Sequence, residues 1–307
     1  MVKIDLITGF LGSGKTTFLK KYAKRLMEQG QNIGILENDF GAVNVDMMLL
    51  QELEGEQCEL EMISGGCDPE THRRRFRTKL IAMGMCGYER VLVEPSGIYD
   101  MDEFFDVLHE EPLDQWYEIG NVIAVVDARL EDTLSPEAEY LLASQAANAG
   151  CMILSKCDTA TEEQRQNTIA HLKRSLAALG CKQRADQKIL CEGAEPLPDQ
   201  EFAAILSCGY YIASYEKPDF AKGQAFESLY LHLDGDAVTA AVKKMLKDPA
   251  CGHIFRVKGF LQNPDGTWLE INATQQEITR KPIANGQDVL IVIGENLVED
   301  TIRAYWK

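Results

Sequence analysis

No stretch of this chain reaches the roughly 18 uninterrupted apolar residues of a membrane-spanning helix. The amino terminus, MVKIDLITGFLGSGKTT, has no small-residue cleavage site behind an apolar core, so no secretory leader is expected. Histidine is scarce and dispersed, with five residues at 72, 109, 171, 232 and 253, which excludes a His-rich tract for bulk metal storage. Cations are in deficit: 31 Lys and Arg face 48 Asp and Glu, for a net charge of -17. Neutralising a phosphate backbone needs a cationic face, so a nucleic-acid partner is not expected. The nine cysteines, at 58, 67, 86, 151, 157, 181, 191, 208 and 251, lack the regular spacing of a disulfide framework and read as cytosolic thiols. There is no internal repeat and no low-complexity tract. A soluble, cytoplasmic protein without membrane contact is the expectation.

What is present is ample apolar material, 45% of 307 residues, enough for one large domain and one small. VKIDLIT (2–8), NIGILEN (32–38), RVLVEPSG (90–97), NVIAVVDA (121–128) and GCMILSKCD (150–158) are apolar runs bounded by turn signals, as in strands buried on both faces. Helical spacing fills 15–30, 136–149 and 162–179. The alternation predicts an α/β fold, a mainly parallel sheet with helices on both faces. After about residue 215 the pattern changes. A strand at 226–233, a helix at 236–248, a hairpin around Pro264-Asp265-Gly266, a strand at 289–295 and a last helix predict a smaller α+β domain with an antiparallel sheet. The expected domains are 1–215 and 222–307.

GFLGSGKT, Gly9 to Thr16, fits the P-loop pattern of glycine, four residues, then Gly-Lys-Thr, placed between a strand and a helix as its mechanism requires. Gly9, Gly12, Ser13 and Gly14 would let backbone N–H groups turn onto phosphates. Lys15 would reach the β and γ oxygens, the Thr16 hydroxyl would ligate Mg2+, and Thr17 would complete the cradle. Glu94 ends an apolar strand where an acid meets the magnesium or its water shell; the plainer alternative is an acid capping a strand end. Ser155-Lys156-Cys157-Asp158 closes another strand and is similar to the Asn-Lys-x-Asp element that recognises guanine, with Ser155 in place of asparagine. A buried Asp158 would accept from guanine N1 and the exocyclic amine and reject adenine. GTP or GDP with Mg2+ is therefore the expected ligand.

With these elements in order, the chain resembles the CobW-type GTPases, relatives of the nickel-insertion GTPases that serve hydrogenase and urease. The matching pieces are TGFLGSGKTT, the 37–46 stretch ending in Asp46, GGC at 65–67, EPSG at 94–97, VVDA at 125–128, QAANAGCMILSKCD at 145–158 and RVKGF at 256–260. The resemblance implies a P-loop GTPase domain, that family's C-terminal domain, and a role in handling metals or metallocofactors for client proteins. It also implies a Cys-x-Cys-Cys metal site, but here the sequence is Cys67-Asp68-Pro69, so one cysteine of the three remains. Zn2+ or another transition metal wants about four ligands, and Cys67 with Glu37 is the candidate start of a second metal site. Asp39, Cys58 and His72 are supplementary candidates. Cys67 as a small residue at a tight Gly-Gly turn and His72 as a solvated residue at a helix start are the competing readings; the run Arg73, Arg74, Arg75 and Arg77 would face the phosphates or an acidic partner, or else form a solvated helix face.

The expected function is a slow GTPase coupling a nucleotide switch over 37–46 to metal or metallocofactor delivery to a client metalloprotein or cofactor-dependent enzyme. A nucleotide-dependent homodimer is a further option. Two alternatives stand beside it: a metal-independent, GTP-dependent chaperone of a cofactor enzyme, and a small-molecule kinase on the same P-loop.

Overall fold

The computed structural model describes residues 1–38, 45–63, 69–181, 188–192, 196–218, 226–231, 238–263, 265–284 and 286–306. It divides into two compact units, Met1–Asp219 and Phe220–Lys307. The first runs β1 (Val2–Thr8), α1 (Lys15–Glu28), β2 (Ile33–Asn38), α2 (Val45–Leu50), β3 (Cys58–Ile63), α3 (Pro69–Gly84), β4 (Arg90–Pro95), α4 (Met101–Leu108) and α5 (Leu113–Trp116). It continues with β5 (Tyr117–Asp127), α6 (Pro136–Asn148), β6 (Cys151–Ser155), α7 (Glu162–Ala178), β7 (Ile189–Cys191) and α8 (Asp199–Leu206).

The seven strands form one parallel sheet in the order β3-β2-β4-β1-β5-β6-β7. The apolar runs are continuous because the central strands are buried on both faces. Ile4 and Leu6 of β1 enter a core with Phe76, Phe104 and Leu142, while Ile7 enters the other, with Phe18, Leu19 and Tyr22 of α1. Helix starts follow local chemistry: Ser135 caps α6 ahead of Pro136, and Thr161 with Gln164 forms a capping box on α7. α1 is the exception, since Gly14 at its N-cap has no side chain and leaves the first-turn donors open.

Midway along β1, fully buried Asp5 accepts from Tyr22 Oη (2.8 Å), Arg90 Nη1 (2.6 Å) and the Asn121 backbone N–H (2.8 Å). One carboxylate thereby ties β1, β4, β5 and α1 together.

The second unit runs β8 (Glu227–Leu231), α9 (Val238–Met245), β9 (His253–Gln262), β10 (Trp268–Ala273), β11 (Ile278–Ile283), β12 (Val289–Glu295) and α10 (Glu299–Ala304). Its strands form an antiparallel sheet, order β11-β10-β9-β12-β8, with Val242, Met245, Val257, Val292 and Ile302 in a core of its own. The expected hairpin is β9–β10, and its turn is held by Thr267 N–H on Asp265 Oδ1 at 2.9 Å, with Gly266 at φ 83°. An α/β parallel sheet with a smaller α+β unit is the architecture expected from the sequence.

Candidate nucleotide site

The loop from β1 to α1 lies at the carboxyl end of the central strand, the place where open parallel sheets bind ligands. Gly9, Gly12 and Gly14 take φ of 151°, 73° and 92°, in the left-handed half of the map where a side chain is strained. At Gly9 the demand is also spatial, because a Cβ would lie 2.2 Å from the Val125 carbonyl oxygen. The buried Ser13 Oγ has no partner among the described residues. Thr17 lies exposed on the first turn of α1. A wound glycine loop leading into an uncapped helix start is suited to an anion.

Lys15 is buried, and its Nζ donates to the Gly9 carbonyl at 3.0 Å. Thr16 Oγ1 donates to Glu94 Oε1 at 2.8 Å. Glu37 at the end of β2 is the register partner of Glu94 at the end of β4, so the two carboxyl groups come off adjacent strands on one side and hydrogen-bond each other. Burial pushes the Glu94 carboxyl up to about 7; Lys15 opposes the shift, the nearby Asp46 adds to it, and the hydrogen bonds from Thr16 and Glu37 oppose it. Buried acids here outnumber the buried cation. The donors are hard oxygens, a hydroxyl and carboxylates, at the mouth of a phosphate cradle, which suits Mg2+ with its retained waters and phosphate ligands.

The second half of the site is the end of β6. Ser155 Oγ donates to the Ser13 carbonyl at 2.5 Å, tying this loop to the cradle. Lys156 adopts φ 57°, and its Nζ bonds the Gly12 carbonyl (3.0 Å) and Asp127 Oδ2 (2.7 Å). Glu192, after β7, is buried and paired with Lys21 at 2.5 Å; burial raises its carboxyl above the usual range despite Lys21, and Asp158 adds to that.

Lys15, Thr16 and Glu94 are thus brought together, with Ser155 and Lys156 on the same loop system. Other expectations need correction. Asp158 is exposed rather than buried. His72 is not solvated: it is fully buried, with Nδ1 3.3 Å from Glu103 Oε1 of α4. Cys58 cannot supplement a metal site near Glu37. It opens β3 opposite Ile33, four residues and ~13 Å below Glu37, in an apolar core that pushes its thiol up to about 11. The arginine run is a solvated face as the plainer reading had it: Arg74 and Arg75 are exposed, and the partly exposed Arg73 and Arg77 pair with Glu110 at the surface at 2.7 and 2.8 Å. Cys67 and Asp39 lie outside the described residues. Among the described residues no three His, Cys, Asp or Glu side chains are grouped to hold a metal. Asp46 and Asp127, given no role from sequence, lay inside the quoted 37–46 and VVDA pieces. Glu192 carried no sequence signal.

The family model for the CobW/HypB/UreG nucleotide-binding domain matches residues 3–181. Zinc chaperone YjiA of Escherichia coli (strain K12) is 28% identical over 172 residues, 53% of this chain and 52% of that protein. Zinc chaperone YeiR of the same organism is 28% identical over 167 residues, 54% of this chain and 50% of its own. Zinc chaperone CobW of a Sinorhizobium species is 23% identical over 295 residues, 86% and 82% of the two chains. The chain spans about half the length of the two Escherichia coli relatives it matches. The matched span contains the whole constellation from Gly9 to Asp158 together with more than half of the chain, and on that footing the chain belongs to the CobW/HypB/UreG family.

Proposed function

We propose that this chain binds GTP and GDP with Mg2+, hydrolyses GTP slowly, and uses the nucleotide state to deliver a metal ion, zinc foremost, or a metallocofactor to a client protein. The observation that carries the proposal is the cluster of Lys15, Thr16, Glu94 and Glu37 at the carboxyl ends of β1, β4 and β2, beside the uncapped start of α1. Lys15 exchanges the Gly9 carbonyl for phosphate oxygens. Thr16 and Glu94 hold the cation or its waters. Mg2+, when bound with the nucleotide, supplies charge neutralisation on the phosphates. Ser155 and Lys156 hold Asp158 where it accepts from a guanine edge. With no arginine finger assigned, turnover by the isolated protein is slow, on the order of 10⁻⁴ to 10⁻² per second. The zinc chaperone names of YjiA, YeiR and CobW support the choice of cargo. Glu37 and Cys67 are the proposed start of the cargo site.

The test combines fluorescent-nucleotide binding, single-turnover hydrolysis and a chelator-competed zinc titration in GDP and in a non-hydrolysable GTP analogue, on wild type, Glu37→Gln and Cys67→Ser. Guanine preference, slow turnover and a zinc affinity that differs about 5- to 150-fold between nucleotides and falls in both variants is the expected result. Zinc binding indifferent to nucleotide and to both substitutions would leave a metal-independent chaperone. Phosphoryl transfer to a metabolite instead of water would make it a kinase.

A further inference from the structure

The base-side loop carries a second chemistry that the nucleotide reading does not use. Cys157 lies between Lys156 and Asp158, and its N–H donates to the Glu192 carbonyl at 3.1 Å. Its Sγ donates to the Leu154 carbonyl at 3.2 Å. Leu154 is the register partner of Cys191 in β7, and Glu192 N–H returns to the Leu154 carbonyl at 2.7 Å. Backbone and side-chain bonds thus bring the Cys157 sulfur to the level of Cys191, one thiol buried and the other exposed.

We propose that Cys157 and Cys191 are an oxidation site that hydrogen peroxide converts to a disulfide, displacing the base-recognition loop and weakening guanine nucleotide binding. This rests on 155–158 being the base-recognition segment. The exposed Cys191 sulfur attacks one peroxide oxygen, breaking the O–O bond to give Cys191 sulfenic acid, and the thiol proton leaves with the other oxygen as water. The Cys157 sulfur then displaces the sulfenic oxygen, and its own proton leaves with that oxygen as the second water. Two thiols are oxidised by two electrons and one peroxide is reduced to two waters. The order follows from access. Burial, reinforced by the hydrogen bond between the two thiols, pushes the Cys157 thiol up to about 12, which suits it to resolve rather than to attack.

The consequence for nucleotide binding is geometric. An S–S bond of about 2.05 Å draws the sulfurs well inside their non-bonded contact. Cys157 surrenders its bond to the Leu154 carbonyl and moves toward β7. Lys156 and Asp158 are covalently next to it, and Lys156 is held at φ 57° between Gly12 and Asp127 with little slack. Recognition constellations tolerate displacements of only about 0.5 Å. A second thiol pair, Cys151 with Cys208, lies at the other end of β6, where Cys151 is fully buried, and is the internal comparison.

The experiment treats the full reduced chain with hydrogen peroxide, maps disulfides by non-reducing peptide mass spectrometry, and titrates fluorescent GDP before and after. Wild type is compared with Cys157→Ser and Cys191→Ser. The expected result is a 157–191 linkage, a loss of GDP affinity of about fivefold or more by the loop-displacement argument, restoration by reductant, and resistance of both variants. A linkage of Cys151 to Cys208 instead, free Cys157 after Cys191 is oxidised, or a 157–191 linkage with unchanged affinity would each overturn it. Failure of the reduced wild type to prefer GDP over ADP would sink the base reading, and the disulfide map would still decide whether the bond forms.

Discussion

At the scale of single residues, Thr16 and Glu94 are the pair that, on the proposed reading, decides how the cradle meets Mg2+. Thr16→Ala removes the donor to Glu94 Oε1 and a proposed Mg2+ ligand. Hydrogen bonds to charged groups are worth about 1.5–3 kcal/mol, so Mg2+-dependent GDP affinity should fall roughly 10- to 100-fold, with affinity in EDTA little changed, by nucleotide titration with and without magnesium. Glu94 also sets a pH dependence. Its carboxyl has an ordinary value of 4.5 and is pushed up to about 7 in the folded, nucleotide-free protein. Between those values the folded chain holds a proton that the unfolded chain releases, so stability from this group is full below 4.5 and is lost as pH rises through 7. Melting scans of the magnesium- and nucleotide-free protein should show a decline across that window, of up to about 3 kcal/mol, which Glu94→Gln flattens. The glycines, Lys15 and Thr16 were readable from sequence because backbone conformation and phosphate chemistry dictate their types at fixed spacing. Asp46 and Glu192 were not, because their contacts with Glu94 and Lys21 are made by folding across many residues.

At the scale of elements, two side chains show how the sheet and helices are fastened away from the site. Arg90→Met leaves Asp5 buried without its cation, and breaking such a pair costs about 3–5 kcal/mol, so chemical denaturation should show a large fall in midpoint. His72 packs the first turns of α3 against Glu103 of α4. His72→Ala should cost about 2–4 kcal/mol in the same assay without abolishing zinc binding, the reverse of what a ligand would do. The strands that sequence patterning found are the inner ones, β1, β2, β4, β5, β6, β9, β10 and β12, and one edge strand, β8. The ones it missed, β3, β7 and β11, all lie at sheet edges. An edge strand is buried on fewer sides, so CELEMI can spend two positions on glutamate and ITRKPI can hold a proline. Periodicity weakens where burial does.

At the scale of the molecule, acidity is unevenly spread: residues 220–307 are close to neutral, and nearly all of the acid excess lies in the first unit. Each unit has its own core. Residues 1–219 expressed alone should therefore bind GDP within about threefold of the full chain, as a self-sufficient domain would, by the same titration. The cradle itself sets the thermodynamics of that binding. Its three glycines are already in their wound conformations, and Lys15 and Lys156 already clasp the loop through the Gly9 and Gly12 carbonyls. A nucleotide entering such a loop exchanges one set of polar bonds for another and orders little chain. Calorimetry should accordingly register a favourable enthalpy with only a small heat-capacity change, whereas a site that folded around its ligand would announce itself by a large negative one.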